Sequence, residues 1–322
     1  MVYGAPAIAT AVSLYSEVTW VQDTSGQLVA QMPPVSAHSV HNLDTLCALP
    51  KYLDTRYQAF EQGELPVADI LNSPDQLALY VLARHLEAGQ LQGRLSIRSQ
   101  LPLGAGMGSS ASVIAALFAL CECLSHSRYS REQRYLEVRH CERLQHGKGS
   151  LIDAAAVILG GAVRVQQQVV EPVSLQLDDH WYWLFTGTPQ SGTGECVSTV
   201  AQAHGADAPL WQAFADCTHL FSNSLSQPNA LLDVIAQNQA LLEYIGVVPA
   251  RTVQLIHQLS DYGAAAKVSG AGAVRGDASG LLLIYAPQDN IEPFLNQLNL
   301  PWGRLKQDTT GARIDVTHTN HY

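Results

Sequence analysis

Leu101-Pro102-Leu103-Gly104-Ala105-Gly106-Met107-Gly108-Ser109-Ser110-Ala111 is the stretch on which the fold turns. Arg94 to Ser99 alternates ahead of it like a short strand, and residues 111–124 behind it are good helix formers. The order is therefore strand, glycine loop, helix. Glycines at 104, 106 and 108 permit positive φ and the close approach of a ligand, and the first turn of the following helix has unpaired N–H groups. Those donors and the positive helix end favour a phosphate, while the hydroxyls of Ser109 and Ser110 add donors or a magnesium ligand. By itself the loop is also compatible with a tight turn capped by serine.

Two other phosphate motifs fail on the same letters. A Walker loop would need glycine at 142 and Ser or Thr at 149, where the chain has Glu142 and, after Gly147-Lys148, Gly149. Gly106-x-Gly108-x-x-Ala111 matches a dinucleotide fingerprint in form, but the region about 20 residues on lacks the buried strand ending in an acidic residue.

Outward from the loop, residues 74–88 have helical spacing, with Ser73 and Pro74 at the start and Gly89 at the end. A helix is predicted over 130–146 from the capping-box spacing of Ser130 and Gln133, and another over 151–159, stopped by Gly160-Gly161. Ala7 to Val21 reads as strand material. Beyond Asp178-Asp179 the pattern is a strand at Trp181 to Phe185, helices near 193–203, 208–223, 228–243 and 250–261, a strand at Leu281 to Tyr285, a helix near 291–298 and a terminal strand near 312–317. This is a mixed α+β pattern without internal repeats, and a boundary near 178 divides it into domains 1–178 and 179–322.

Glu142 and Asp153 form a second constellation within Glu142-Arg143-Leu144-Gln145-His146-Gly147-Lys148-Gly149-Ser150-Leu151-Ile152-Asp153. The helix dipole opposes Glu142 in the last turn of one helix, and Asp153 is a charge set in an apolar one, so each requires a cation or hydrogen bonds. Magnesium bridging phosphates to Glu142, with Asp153 facing a substrate hydroxyl, would satisfy both; a solvated Glu and a capped Asp is the plainer alternative. His146 reads as structural. A second small-residue loop, Lys267-Val268-Ser269-Gly270-Ala271-Gly272-Ala273, suggests one ligand gripped by two glycine segments, or else a simple hairpin turn.

The 322 residues fit two domains, and 47% hydrophobic against 14% charged residues excludes a disordered chain. A net charge of −10 disfavours nucleic acid as a partner. No apolar run is long enough to span a membrane, and the first residues lack the basic flank and apolar run of a secretory signal, so a cytoplasmic location is expected. Cysteines 47, 121, 123, 141, 196 and 217 have no zinc-site spacing and read as reduced thiols.

At the three segments 102–111, 142–153 and 267–273 the chain resembles the GHMP kinase superfamily of galactokinase, homoserine kinase, mevalonate kinase and phosphomevalonate kinase, and within it most of all the mevalonate kinases. Gly108 before the two serines and Asp153 after His146-Gly147-x-x-Ser150-x-Ile152 carry that similarity. The resemblance implies an α+β N-terminal domain with a mixed sheet and helices, and a ferredoxin-like C-terminal domain. It implies ATP held at Pro102, Gly104, Ala105, Gly106, Met107, Gly108, Ser109 and Ser110, with Gly270, Ala271 and Gly272 closing over it. Mg2+ would sit on Ser110 and Glu142, and Asp153 would act on the hydroxyl of a small metabolite, mevalonate or a similar one, in isoprenoid precursor synthesis. A homodimer is compatible with it.

The family's opening block has a Pro-Gly-Lys strand ahead of Val-Tyr-Gly-x-Pro-Ala, and the sequence begins within that block at Val2-Tyr3-Gly4-Ala5-Pro6-Ala7. The alternative expectation is therefore a truncated, non-catalytic nucleotide- or metabolite-binding homologue, or another GHMP kinase. The Gly-Met-Gly order argues against a diphosphomevalonate decarboxylase. The run Ala273-Val274-Arg275-Gly276-Asp277-Ala278-Ser279 replaces the family's usual glycines with a longer charged turn.

Overall fold

The computed structural model describes residues 4–33, 36–101, 106–288 and 290–315. In chain order it has β1 (Ala7–Thr10), β2 (Ser16–Gln22), β3 (Gln27–Met32), β4 (Ser36–Asn42), α1 (Leu43–Glu61), α2 (Gln76–His85), β5 (Gly93–Ser99), α3 (Ser109–Leu124), α4 (Arg131–His146) and α5 (Leu151–Leu159). There follow β6 (Ala162–Gln166), β7 (Val169–Val173), β8 (Trp181–Phe185), α6 (Thr193–His204), α7 (Ala208–Ser224), α8 (Pro228–Tyr244), α9 (Ala250–Asp261), β9 (Ala265–Val268), β10 (Leu281–Tyr285), α10 (Glu292–Gln297) and β11 (Trp302–Arg304).

Local chemistry explains most of these boundaries. Ser130 accepts from the Gln133 N–H at 3.1 Å while the Gln133 side chain accepts from the Ser130 N–H at 2.8 Å, so α4 begins with the expected reciprocal cap. Gly147 ends α4, and Ser150 caps α5 by accepting from the Asp153 N–H. Three readings needed correction. Residues 7–21 are two strands rather than one, parted by a segment in which the Ala11 N–H donates to Gly161 and the Ser13 N–H to Lys306. α2 starts at Gln76 with Asp75 at its N-cap, because the Ser73 hydroxyl is engaged by the Asp75 carboxylate. Residues 312–315 form no strand, since the Ala312 N–H is spent on the Val157 carbonyl; 316 and 317 lie outside the described residues. α1 went unread because Pro50 lies inside it and has no N–H for the Leu46 carbonyl.

The chain forms two compact units that interleave in sequence: Met1–Ser13, Leu101–Ser109 and Gly161–Thr309 make the first, and Leu14–Gln100, Ser110–Gly160 and Thr310–Tyr322 the second. A cut near residue 178 therefore runs through the first unit. The second unit is built on a mixed sheet in the order β2-β5-β3-β4, with β3 parallel to β5 and the other pairs antiparallel. Leu28, Leu53, Leu82, Leu95, Leu117 and Leu144 converge in its core and have no exposed surface beyond 1%. Each contributes about 1.5–3 kcal/mol through burial.

The first unit has a small antiparallel sheet, β1-β6-β7, and a four-stranded antiparallel sheet in the order β11-β8-β10-β9. With α6–α9 between β8 and β9 and α10 between β10 and β11, that order is the ferredoxin-like βαββαβ arrangement. Leu184 and Ile284 pack with Leu259 of α9 on one face, while Trp181 and Tyr285 pack with Val234 of α8 on the other. Both faces are covered, which is why β8 and β10 are continuous apolar runs rather than alternating ones.

Candidate active site

In the first unit the two glycine segments meet backbone to backbone. Gly106 has φ +78°, and a Cβ there would lie 2.8 Å from the Ser269 carbonyl oxygen; a Cβ on Gly270, at φ +84°, would lie 2.8 Å from the Gly106 Cα. Only glycine fits both positions, on conformational and steric grounds alike. Gly106, Met107, Gly108 and Ser109 are described, whereas Pro102, Gly104 and Ala105 lie outside the described residues. Met107 packs into the core beside Trp181, which anchors the segment. Ser109 opens α3, whose first turn contains no acidic residue, so the positive helix end is not offset locally.

The second glycine segment is held from both ends. At the edge strand β9, the outward N–H of Val268 donates to the Gln239 side chain at 3.0 Å and its carbonyl accepts from Lys267 Nζ at 2.8 Å. Burial pushes the Lys267 ammonium down to about 8, opposed by Cys217. The Ala273 N–H then donates to the Val247 carbonyl, which places Gly272 against the α8–α9 connection. The charged turn that follows is pinned by a two-pronged pair, with Arg275 Nε and Nη2 on the Glu195 oxygens at 2.6 and 2.8 Å. The Ser191 hydroxyl also accepts from the Val274 and Arg275 N–H groups. Neither Ser191 nor Glu195 was identified from sequence, because a partner about 80 residues away leaves no local pattern.

In the second unit Glu142 and Asp153 come together. Glu142 is 2% exposed, accepts from the Ser150 N–H at 3.1 Å and is hydrogen-bonded by the Ser110 side chain. Burial, reinforced by Asp153, pushes its carboxyl up to about 8 against the pull of the Ser150 N–H, Arg139 and Ser110. Burial also raises Asp153, opposed by the Ser150 hydroxyl and His146. His146 is lowered by burial, with Asp153 opposing. The turn 147–150 makes this geometry: a Cβ on Gly149 would lie 2.1 Å from the Arg139 carbonyl oxygen, so the chain folds directly onto α4 and turns the Ser150 N–H toward Glu142. Ser110 also donates to Gln145 at 3.1 Å.

Two buried carboxyls whose proton affinities are raised by burial, with hydroxyls beside them, form an oxygen-donor set of the kind that a hard divalent cation fits. Between about 4.5 and 8 the folded state holds the Glu142 proton while the unfolded state has released it. Stability of the metal-free protein is therefore expected to fall as pH rises through that window, by up to about 1.4 kcal/mol per unit. Glu142→Gln should flatten this slope in denaturant titrations at successive pH values; an unchanged slope would contradict the burial of an ionisable Glu142.

One other group of potential ligands occurs among the described residues. His85, Glu137 and Cys141 bring ligand atoms within 4.8 Å of one another. Arg84 Nε and His85 Nε2 already lie 3.3 and 3.4 Å from the same Glu137 oxygen, so the set is an occupied ion pair.

The chain matches the family model for the GHMP kinases N terminal domain over residues 76–161, the span from α2 to the end of α5 that carries the first glycine segment and both carboxylates. It is 26% identical over 286 residues to the mevalonate kinase of Pyrococcus horikoshii, an alignment covering 84% of this chain and 81% of that relative. A crystal structure of mevalonate kinase superposes with a TM-score of 0.78 at 14% identity, covering 96% of this chain and 94% of that one. The L. major mevalonate kinase in complex with R-mevalonate superposes with a TM-score of 0.66 at 18% identity, covering 96% and 92%. The α+β fold is the one these mevalonate kinase structures have.

Proposed function

We propose that this protein transfers the γ-phosphoryl group of ATP to the hydroxyl of mevalonate, forming 5-phosphomevalonate for isoprenoid precursor synthesis. The names of its relatives support this reading, and the observation that carries it is the buried pair Glu142 and Asp153 beside Ser110 and Ser150. Among the described residues no helix is long and apolar enough to cross a membrane.

The backbone N–H groups of the segments 104–109 and 270–272 would hold the phosphates, helped by the start of α3. Ser110 and Glu142 would hold magnesium, which neutralises charge on the transferring phosphoryl group when bound. Asp153, its carboxyl raised by burial, is suited to orient the substrate hydroxyl and to take its proton as the oxygen attacks phosphorus in line.

ADP release measured with mevalonate, phosphomevalonate, homoserine and galactose tests the assignment. Turnover with mevalonate alone is expected; turnover only with another substrate would move the protein to a neighbouring specificity. Nucleotide binding without any turnover would mark a non-catalytic homologue. Gly270→Ala should raise the KM for ATP about tenfold with a smaller change in kcat, because its Cβ meets Gly106 while Glu142 and Asp153 are untouched. An unchanged KM for ATP would remove the glycine segments from the nucleotide site.

A further inference from the structure

Arg143 follows Glu142 in α4, and its guanidinium is engaged on several sides. Nη2 donates to Asp54 Oδ1 at 2.6 Å, Nη1 donates to the Tyr80 hydroxyl at 3.4 Å and to the His140 carbonyl, and the group lies 4.6 Å from the centre of the Tyr57 ring. Tyr80, wholly buried, donates its own hydroxyl to Asp54 at 2.7 Å. Tyr57 then reaches past the guanidinium and donates to the Gly147 carbonyl at 2.9 Å. Phe60 lies under the same glycine, where a Cβ would come within 2.9 Å of the ring. Asp54, Tyr57 and Phe60 are three residues apart in turn, so α1 presents them along one side.

A buried network of this kind contributes stability wherever it occurs. Its address is what distinguishes it here. The contacts fall on the last turn of α4, which carries Glu142, and on Gly147, which opens the turn that delivers the Ser150 N–H to the Glu142 carboxylate. A carboxylate in the last turn of a helix has no help from the dipole, so its alignment depends on how firmly that turn is held.

We propose that Asp54, Tyr57 and Arg143 form a clamp that sets the positions of Glu142 and of the Ser150 N–H, and thereby the affinity of the protein for its divalent cation. The proposal rests on Glu142 being a metal ligand. The three are positioning residues, acting through the backbone of α4 and of the turn behind it.

The probe is Mn2+, titrated into protein plus a non-hydrolysable ATP analogue and followed by loss of the free-ion electron paramagnetic resonance signal. Tyr57→Phe removes only the hydroxyl that bonds Gly147, and Arg143→Met removes the charge. Arg84→Met is the control, since it breaks the Glu137 ion pair on the same helix without touching the last turn. Tyr57→Phe and Arg143→Met should each weaken Mn2+ about tenfold or more, as loss of an orienting partner typically does. The Mg2+ concentration for half-maximal activity should rise in parallel and the KM for mevalonate stay within about twofold. Arg84→Met should lower the melting temperature and leave Mn2+ affinity unchanged. A folded Tyr57→Phe protein with wild-type Mn2+ affinity overturns the clamp, as does an Arg84→Met protein that weakens Mn2+ equally. Wild-type protein whose Mn2+ binding is indifferent to Glu142→Gln overturns the metal-ligand reading itself, which is a separate result.

Discussion

Asp153→Asn is expected to lower kcat about 10³-fold or more while leaving nucleotide affinity within about tenfold. The substitution is nearly isosteric, and the bond that caps α5 runs from the backbone N–H of residue 153 to the Ser150 hydroxyl, so the helix start survives. What is lost is the carboxylate that would take the substrate's proton. Asp153 is held above the ordinary carboxylate range by burial, which strengthens it as a base, and an amide at the same position has no such capacity. Removing its charge should also lower the proton affinity of Glu142, since Asp153 helps raise it. Metal affinity is therefore a second quantity to measure, and steady-state rates with nucleotide titrations would separate the two effects. Equal loss of turnover and of nucleotide affinity would contradict the role assigned to Asp153.

Gly149→Ala is expected to be strongly destabilising. The added Cβ would stand 2.1 Å from the Arg139 carbonyl oxygen and 2.7 Å from its Cα, atoms of a helix backbone that cannot swing aside. Overpacking of this kind costs about 3 kcal/mol. Relief requires the turn 147–150 to lift from α4, which withdraws the Ser150 N–H from Glu142. Thermal denaturation should report the loss of stability, and protein that remains folded should need a higher Mg2+ concentration. Wild-type stability in Gly149→Ala would mean that the turn does not lie on α4.

The elements most readily read in advance were those with a local cause. The capping box of α4, the glycine at its end and the apolar runs of β8 and β10 depend on neighbours within a few residues, and their boundaries match or nearly match the expectation. α1 was hidden by Pro50, and β3 and β4 were hidden behind the prolines that follow Met32. The carboxylates illustrate the intermediate case. That Glu142 and Asp153 need partners follows from a charge placed against a dipole and a charge placed in an apolar helix. That the partners are the Ser150 N–H, the Ser150 hydroxyl and Ser110 depends on a turn whose path is set by the missing side chain of Gly149.

Spacing, caps and motif letters were thus enough to single out two glycine segments, Glu142 with Asp153, and an α+β chain. The meeting of Gly106 with Gly270, the pinning of Arg275 by Glu195 and the hold of Asp54 and Tyr57 on the end of α4 emerged only from packing. Each joins residues about 80 or more positions apart. Periodicity reports which side of an element is apolar, but it carries no information on which remote backbone will occupy the room that an absent Cβ leaves.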